Sequence, residues 1–187
     1  MNNTTAKISV SVVSNELEWK TVQNIRRRVF IDNGDPEDEQ FDGNDYCATH
    51  LIARLNDEAV GTFRIRLISA ADGGSVIWER LSILPDARQK NPRIFMKLVE
   101  AAYEYTSMKS IRTVVGIVAN PRLYKYWKRF GFKETGEAPI MFDDVAYLPI
   151  SLHVPQLAKP AIKLHKAILA EQTAFLVQQR QNIEVVK

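Results

Sequence analysis

The sequence predicts an α/β (α+β) domain: a mixed, mostly antiparallel sheet with helices on both faces, an α/β/α layering. Two observations carry this. Short runs of alternating or β-branched apolar residues, joined by tight turn signals, occupy the first part of the chain and read as a strand meander. A strand–helix–strand–helix unit then follows between Trp78 and Phe132, an order that sets helices against the faces of a sheet.

Each element has its own signature. Residues 7–13 (KISVSVV) alternate weakly, as a strand does. Asn15 is placed to cap a helix through Trp19, Val22, Ile25 and Val29, apolar positions three or four apart. A polar, acidic loop with Gly34, Pro36 and Gly43 spans 32–45. Residues 50–55 and 59–68 read as a hairpin around Asn56-Asp57, and 70–74 as a second turn into a strand over 76–84. Pro92 suits the first position of a helix whose apolar face is Ile94, Leu98, Ala101, Ala102 and Tyr105. Residues 112–118 form a β-branched strand, Asn120-Pro121 opens the next helix, and 146–153 closes the sheet. Residues 156–179 read as a long amphipathic helix with a stripe of Leu157, Ile162, Ile168, Leu169 and Leu176. The expected organisation is one domain over 1–155 and a helical extension over 156–187 that packs on it, pairs with a second subunit or docks a carrier protein.

Composition narrows the class. With 187 residues, 45% hydrophobic and 25% charged, the chain can bury a sizeable core without staples. No apolar run reaches the ~20 residues of a membrane span, and the polar N-terminus lacks a signal pattern. The single Cys47 excludes an internal disulfide and a Cys-rich metal site, and reads as a buried small hydrophobe. His50, His153 and His165 are too scattered for a metal, and 42–45 misses the EF-hand pattern, so no metal is expected. A cytoplasmic enzyme fits these features. Charge is uneven: seven acids and no Lys or Arg lie between Arg28 and Arg54, so the remainder of a chain of formal +3 carries +10. Such a surface attracts an anionic partner, a CoA phosphate or an acidic carrier protein. No nucleic-acid motif accompanies it.

The stretch ERLSILP (79–85), the loop Arg88-Gln89-Lys90-Asn91-Pro92-Arg93, and Asn120 with Gly131-Phe132 at their spacing resemble the acyl-thioester-binding half of the GNAT acyltransferases. The resemblance covers roughly residues 7–153. It implies a bulged fourth strand followed by a loop whose amides, with the next helix N-terminus, hold the donor's pyrophosphate. Arg88 matches the family pattern. Asn91 stands for its first Gly, a substitution that left-handed backbone tolerates in Asn, and Arg93 stands for its second small residue. Arg88, Lys90, Asn91, Arg93 and Asn120 are thus the implied donor-binding residues. Trp127 replaces the family's usual Tyr acid and has no proton to give at neutral pH.

A second segment, RRRVF (26–30) with EDEQFD (37–42), resembles the N-terminal signature of acyl-homoserine-lactone synthases; 120–131 followed by DDVAYLPISL (143–152) is also similar to the related long-chain N-acyl amino acid synthases. Arg26, Phe30, Glu37, Glu39, Asp42 and Arg64 match that pattern and are implied on the acceptor side. The chain departs from it where Ile77 takes the place of the synthases' catalytic Glu, and where Asn33, Gly34 and Asp35 replace an early Trp. The resemblance implies a fatty-acyl donor, on acyl carrier protein or CoA, and a small-molecule amine as acceptor.

The chemistry needs a base for the amine and donors for the oxyanion. Glu79 is the candidate base, with an ion pair to Arg64, Arg66 or Arg80 as its structural alternative. The amides of Ser82, Ile83 and Leu84 are the candidate oxyanion donors. The acidic loop is expected as an acceptor-side lid, drawing a cationic amine or pairing with the first helix, with a solvated loop whose turns are set by Gly34, Pro36 and Gly43 as the alternative.

Overall fold

A computed structural model describes residues 6–119, 121–142 and 144–154. The expected helix over 156–179, and with it the whole extension, lies outside them, as does Asn120.

β1 (Ile8–Val12) leads into α1 (Glu16–Val29). Asn15 caps α1 as expected, its Oδ1 accepting the Glu18 N–H at 2.9 Å. Glu16 and Glu18 in the first turn and Arg26, Arg27 and Arg28 in the last complement the helix dipole. β2 (Thr49–Leu55) and β3 (Glu58–Ser69) form the hairpin. Its two turn residues, Asn56 and Asp57, both have positive φ (49° and 69°), the type I′ geometry that matches strand twist.

The 32–45 segment is more regular than the loop expected there. Two 3-10 turns, Ile31–Asn33 and Gly43–Cys47, flank a single helical turn, α2 (Glu37–Gln40). Asp42 organises the second by accepting the Asn44 N–H at 3.1 Å.

β4 (Ser75–Ile83) is followed by α3 (Pro85–Lys90) and α4 (Arg93–Met108), then β5 (Thr113–Val118) and α5 (Pro121–Arg129). β6 (Lys133–Glu134), β7 (Ile140–Phe142) and β8 (Val145–His153) complete the sheet. Its order is β1-β2-β3-β4-β5-β8-β6, with β7 on β8; β4–β5 is parallel and the remaining pairings are antiparallel.

Alternation along β3 divides the two faces. Phe63 and Ile65 face α4, where Leu98, Ala102 and Tyr105 complete the core. Trp78 of β4 touches Phe63 there and donates to Thr106 of α4 at 3.2 Å. Arg64 faces α1, where it meets the same carboxylate as Arg26. That face combines buried apolar residues (Val22, Ile25, Ile52) with a buried cluster of charge, while the α4 face is apolar.

Candidate functional site

Two irregularities in β4 shape the site. Its pairing with β5 covers only Ser75↔Thr113, Val76↔Val114 and Ile77↔Val115; beyond these the two parallel strands part into a wedge. Against β3, the register jumps from Arg64↔Glu79 to Thr62↔Ser82, so Arg80 and Leu81 together oppose Phe63. This is a β-bulge, with Arg80 at φ 54°. Left-handed backbone costs a side-chain-bearing residue roughly 1–2 kcal/mol. The bulge also switches the period: Val76 and Trp78 face α4 before it, and Ile83, opposite Gly61, faces α4 after it.

The three candidate oxyanion amides now differ. Leu84 N–H donates to the Val60 carbonyl at 2.9 Å and is spent on the ladder. Ladder alternation turns Ser82 toward β3 as well, and leaves the Ile83 N–H facing the wedge. Ser82 is fully buried and its Oγ donates to the Arg80 carbonyl at 3.1 Å, bracing the bulge.

The donor-side loop is replaced by helix. Pro85 starts α3, and the Arg88 and Asn91 amides donate to the Leu84 and Ala87 carbonyls, both at 2.9 Å. Amides engaged in a helical turn do not form a phosphate nest. Nor is Asn91 left-handed (φ −145°); its Oδ1 instead accepts the Arg93 N–H at 3.2 Å and so starts α4, one residue after the expected Pro92. Arg88, Lys90 and Arg93 are brought together around this α3–α4 junction, beside the end of β4.

On the charged face, Arg26, Arg64 and Asp42 come together around Asp45. Asp45 Oδ1 accepts from Arg26 at 2.7 Å and from Arg64 at 2.8 Å. Asp42 takes both terminal nitrogens of Arg64, at 2.6 and 3.0 Å. Glu79 Oε1 lies 3.0 Å from Arg64 Nε and 2.9 Å from Arg66 Nε. Arg80 reaches across to donate to the Glu39 carbonyl and lies 3.7 Å from Asp42. Arg26 and Arg64 are both essentially inaccessible, at 0% and 1%. Burying such ions costs several kcal/mol each unless they are paired, which is what these contacts do.

The pairings shift the protonation equilibria. Burial opposes the charge on Arg64, but Asp42, Glu79 and Asp45 outweigh it and hold the guanidinium above its ordinary range. The Arg64 hydrogen bond holds Asp42 well below the usual carboxylate range. Burial pushes Arg26 down, with Asp45 opposing that shift. His50 closes the far end of the cluster: its Nε2 lies 3.0 Å from the Asp45 carbonyl, its ring meets Trp19 at 4.6 Å, and burial pushes it below its ordinary range.

The remaining candidates are placed less centrally. Phe30 caps the end of α1, while Phe41 is the ring that lies 4.7 Å from the Arg26 guanidinium. Glu37 pairs with Arg27 at 2.5 Å on the surface, and Glu39 engages Arg80 through its backbone. Of the two expectations for the acidic loop, pairing with the first helix is the one seen. Four guanidiniums (Arg26, Arg64, Arg66, Arg80) meet three carboxylates (Asp42, Asp45, Glu79), so this cluster offers no spare negative charge to a cation. Asp45, His50, Phe41 and Arg80 were not among the candidates; only the acidic run itself hinted at the first.

Trp127 packs among Phe63, Phe95, Phe130 and Phe132, with centroids 5.3–6.3 Å apart, as a core aromatic. Cys47 is exposed, not buried, and its Sγ–H lies 3.3 Å from the Asn44 carbonyl. A cavity of about 460 Å³ opens at the other end of β4, bounded by Thr49, Ile65, Leu67, Val76 and Tyr105. Among the described residues no group of three or more His, Cys, Asp or Glu could hold a metal, and no helix is long and apolar enough to cross a membrane.

Solved structures share this architecture. FeeM, an N-acyl amino acid synthase from uncultured soil microbes, aligns with a TM-score of 0.67 at 15% identity, over 86% of this chain and 98% of its own. An acyl-CoA N-acyltransferase from Pseudomonas aeruginosa gives 0.64 at 19% identity, over 79% and 99%. Naa50 of Arabidopsis thaliana, in complex with the bisubstrate analogue CoA-Ac-MVNAL, gives 0.59 at 20% identity, over 76% and 97%. No protein-family model matches the sequence, and no curated protein does.

Proposed function

Because the chain has the GNAT fold of these acyltransferases, we propose that it is an N-acyltransferase moving a fatty-acyl group from a thioester to the amine of a small molecule such as an amino acid. The observation that carries this reading is the wedge between β4 and β5, with the bulge at its edge and an inward-facing amide at Ile83. A thioester threaded into the wedge sets its carbonyl against that amide, which holds the oxyanion as the amine nitrogen bonds to carbon. The C–S bond then breaks and the sulfur leaves as thiolate, protonated from solvent because Trp127 has no acidic proton.

Glu79 is the proposed base. Both guanidiniums address Oε1, so Oε2 is the oxygen that takes the amine proton, directly or through water. Asp42, Glu39 and Glu37 are assigned to the acceptor side, where Arg26 and Arg64 hold Asp45 and Asp42, and the Phe30 carbonyl accepts from Asn33 and Asp35 just before the segment.

The donor's phosphates are read by side chains rather than amides. We assign Arg88, Lys90, Arg93 and Lys97 of α3 and α4, with Arg122, Lys125, Lys128 and Arg129 of α5, to this donor surface; among these helices only Asp86, Glu100 and Glu104 carry opposite charge. Asn120, which precedes Pro121 in the sequence, is assigned to the same proposed donor surface on the strength of the resemblance. With the Arg88 and Asn91 amides engaged in helix, such a surface suits an acidic acyl carrier protein at least as well as CoA.

Native mass spectrometry of the full chain against acetyl-CoA, decanoyl-CoA and decanoyl-carrier protein tests the reading. A long-chain donor bound in preference supports it. Acetyl-CoA bound alone moves the chain to short-chain acetyl transfer, and no binding leaves a non-catalytic module with this fold.

A further inference from the structure

Arg80 stands at a backbone position that a glycine would adopt without strain, yet it carries the longest cationic side chain available. Its guanidinium leaves the bulge, donates to the Glu39 carbonyl at the end of α2, and lies 3.7 Å from Asp42 Oδ2. Asp42 in turn starts the 3-10 turn that delivers Asp45 to Arg26 and Arg64. One side chain thereby joins the two residues that distort β4 to the acidic segment on the charged face. Ser82, whose hydroxyl holds the Arg80 carbonyl, fixes the other end of the link next to the Ile83 amide.

We infer that Arg80 is a positioning residue: it couples closure of the 37–46 segment to occupancy of the bulge, so that the amine side is assembled when the thioester side is filled. The inference rests on the acyltransferase reading above. It follows from Arg80 being a rotamer-rich arm that runs directly from strained bulge backbone to the segment, whereas Glu79 reaches the segment only through Arg64 of β3. A ligand that fixes the bulge orders the segment, and the same coupling makes an ordered segment favour the ligand.

Hydrogen exchange on the full chain tests this, in wild type, Arg80→Gly and Arg80→Lys, with and without a decanoyl thioether of CoA or of carrier protein as the donor probe. Glycine fits φ 54° without strain, so Arg80→Gly retains the fold, which unchanged exchange in β2 and β3 verifies. In wild type the probe is expected to slow exchange over 37–46 about tenfold. In Arg80→Gly that segment exchanges about tenfold faster at rest and does not respond, although the probe still binds; Arg80→Lys restores part of the response. Probe-induced slowing that persists in Arg80→Gly overturns the coupling while leaving acyl transfer intact. Failure of both probes to bind wild type removes the acyltransferase reading and the coupling together.

Discussion

Glu79 carries two arginines on one of its oxygens, and this arrangement makes its role measurable. Glu79→Gln keeps the shape and still accepts from Arg64 and Arg66, but cannot take a proton. Acyl transfer is expected to fall by about 100-fold or more while donor affinity stays within a few-fold. Loss of thermal stability with the rate per folded molecule unchanged would make Glu79 purely an ion-pair partner. His50 gives a second residue-level test. Burial depresses its pKa in the folded state, so the folded protein binds fewer protons than the unfolded chain, whose imidazole titrates near 6.5. The associated stability is present above about pH 6.5 and is lost as pH falls toward the lower folded value. Melting temperature should therefore drop on acidification from pH 7 to 5, and His50→Gln should flatten that slope. An unchanged slope would assign the acid sensitivity to the carboxylates.

At the scale of elements, the bulge and the α3–α4 junction carry the site. Gly61 lies opposite Ile83, and a Cβ there would meet the Ser82 carbonyl at 3.1 Å, Leu98 at 3.2 Å and Ile83 at 3.3 Å. Backbone has little room to yield, so Gly61→Ala should cost about 1–3 kcal/mol and push β4 outward. Donor binding falls with it; retained binding at unchanged stability would show that the bulge tolerates displacement. Reversing Arg88, Lys90 and Arg93 to Glu should weaken donor association by about tenfold or more at low salt, with the difference shrinking as salt rises. A salt-independent loss would point to damage at the junction rather than lost attraction.

The meander and the crossover unit were legible because apolar spacing reports which face is buried, and Asn15, Asn56 and Asp57 announce a cap and a turn. The chain around Pro85 was less so: proline followed by Asp86, with Arg88 two and Lys90 four residues further on, is equally a helix start and a loop. The bulge in β4 was implied by the resemblance of ERLSILP, but residue spacing alone did not place it at Arg80-Leu81. Arg26, Asp42 and Arg64 could be grouped by resemblance. Asp45, His50 and Phe41 join them only through the tertiary closure of the 31–47 segment.

Across the whole molecule the sheet is two half-sheets joined by three residue pairs of β4 and β5. Past that junction, among the described residues, the facing borders of both strands carry backbone groups without a neighbouring strand, an edge placed inside a sheet instead of at its rim. Edges of this kind template association with another chain unless something discourages approach. Here the basic side chains of α3, α4 and α5 stand on either side, and two copies repel where they would otherwise zip together. That protection is electrostatic, so it fades as counterions accumulate. Light scattering of the empty protein should rise with added salt and fall again when a donor fills the wedge; scattering highest at low salt would mean that opposite charges, not bare strand borders, draw the molecules together.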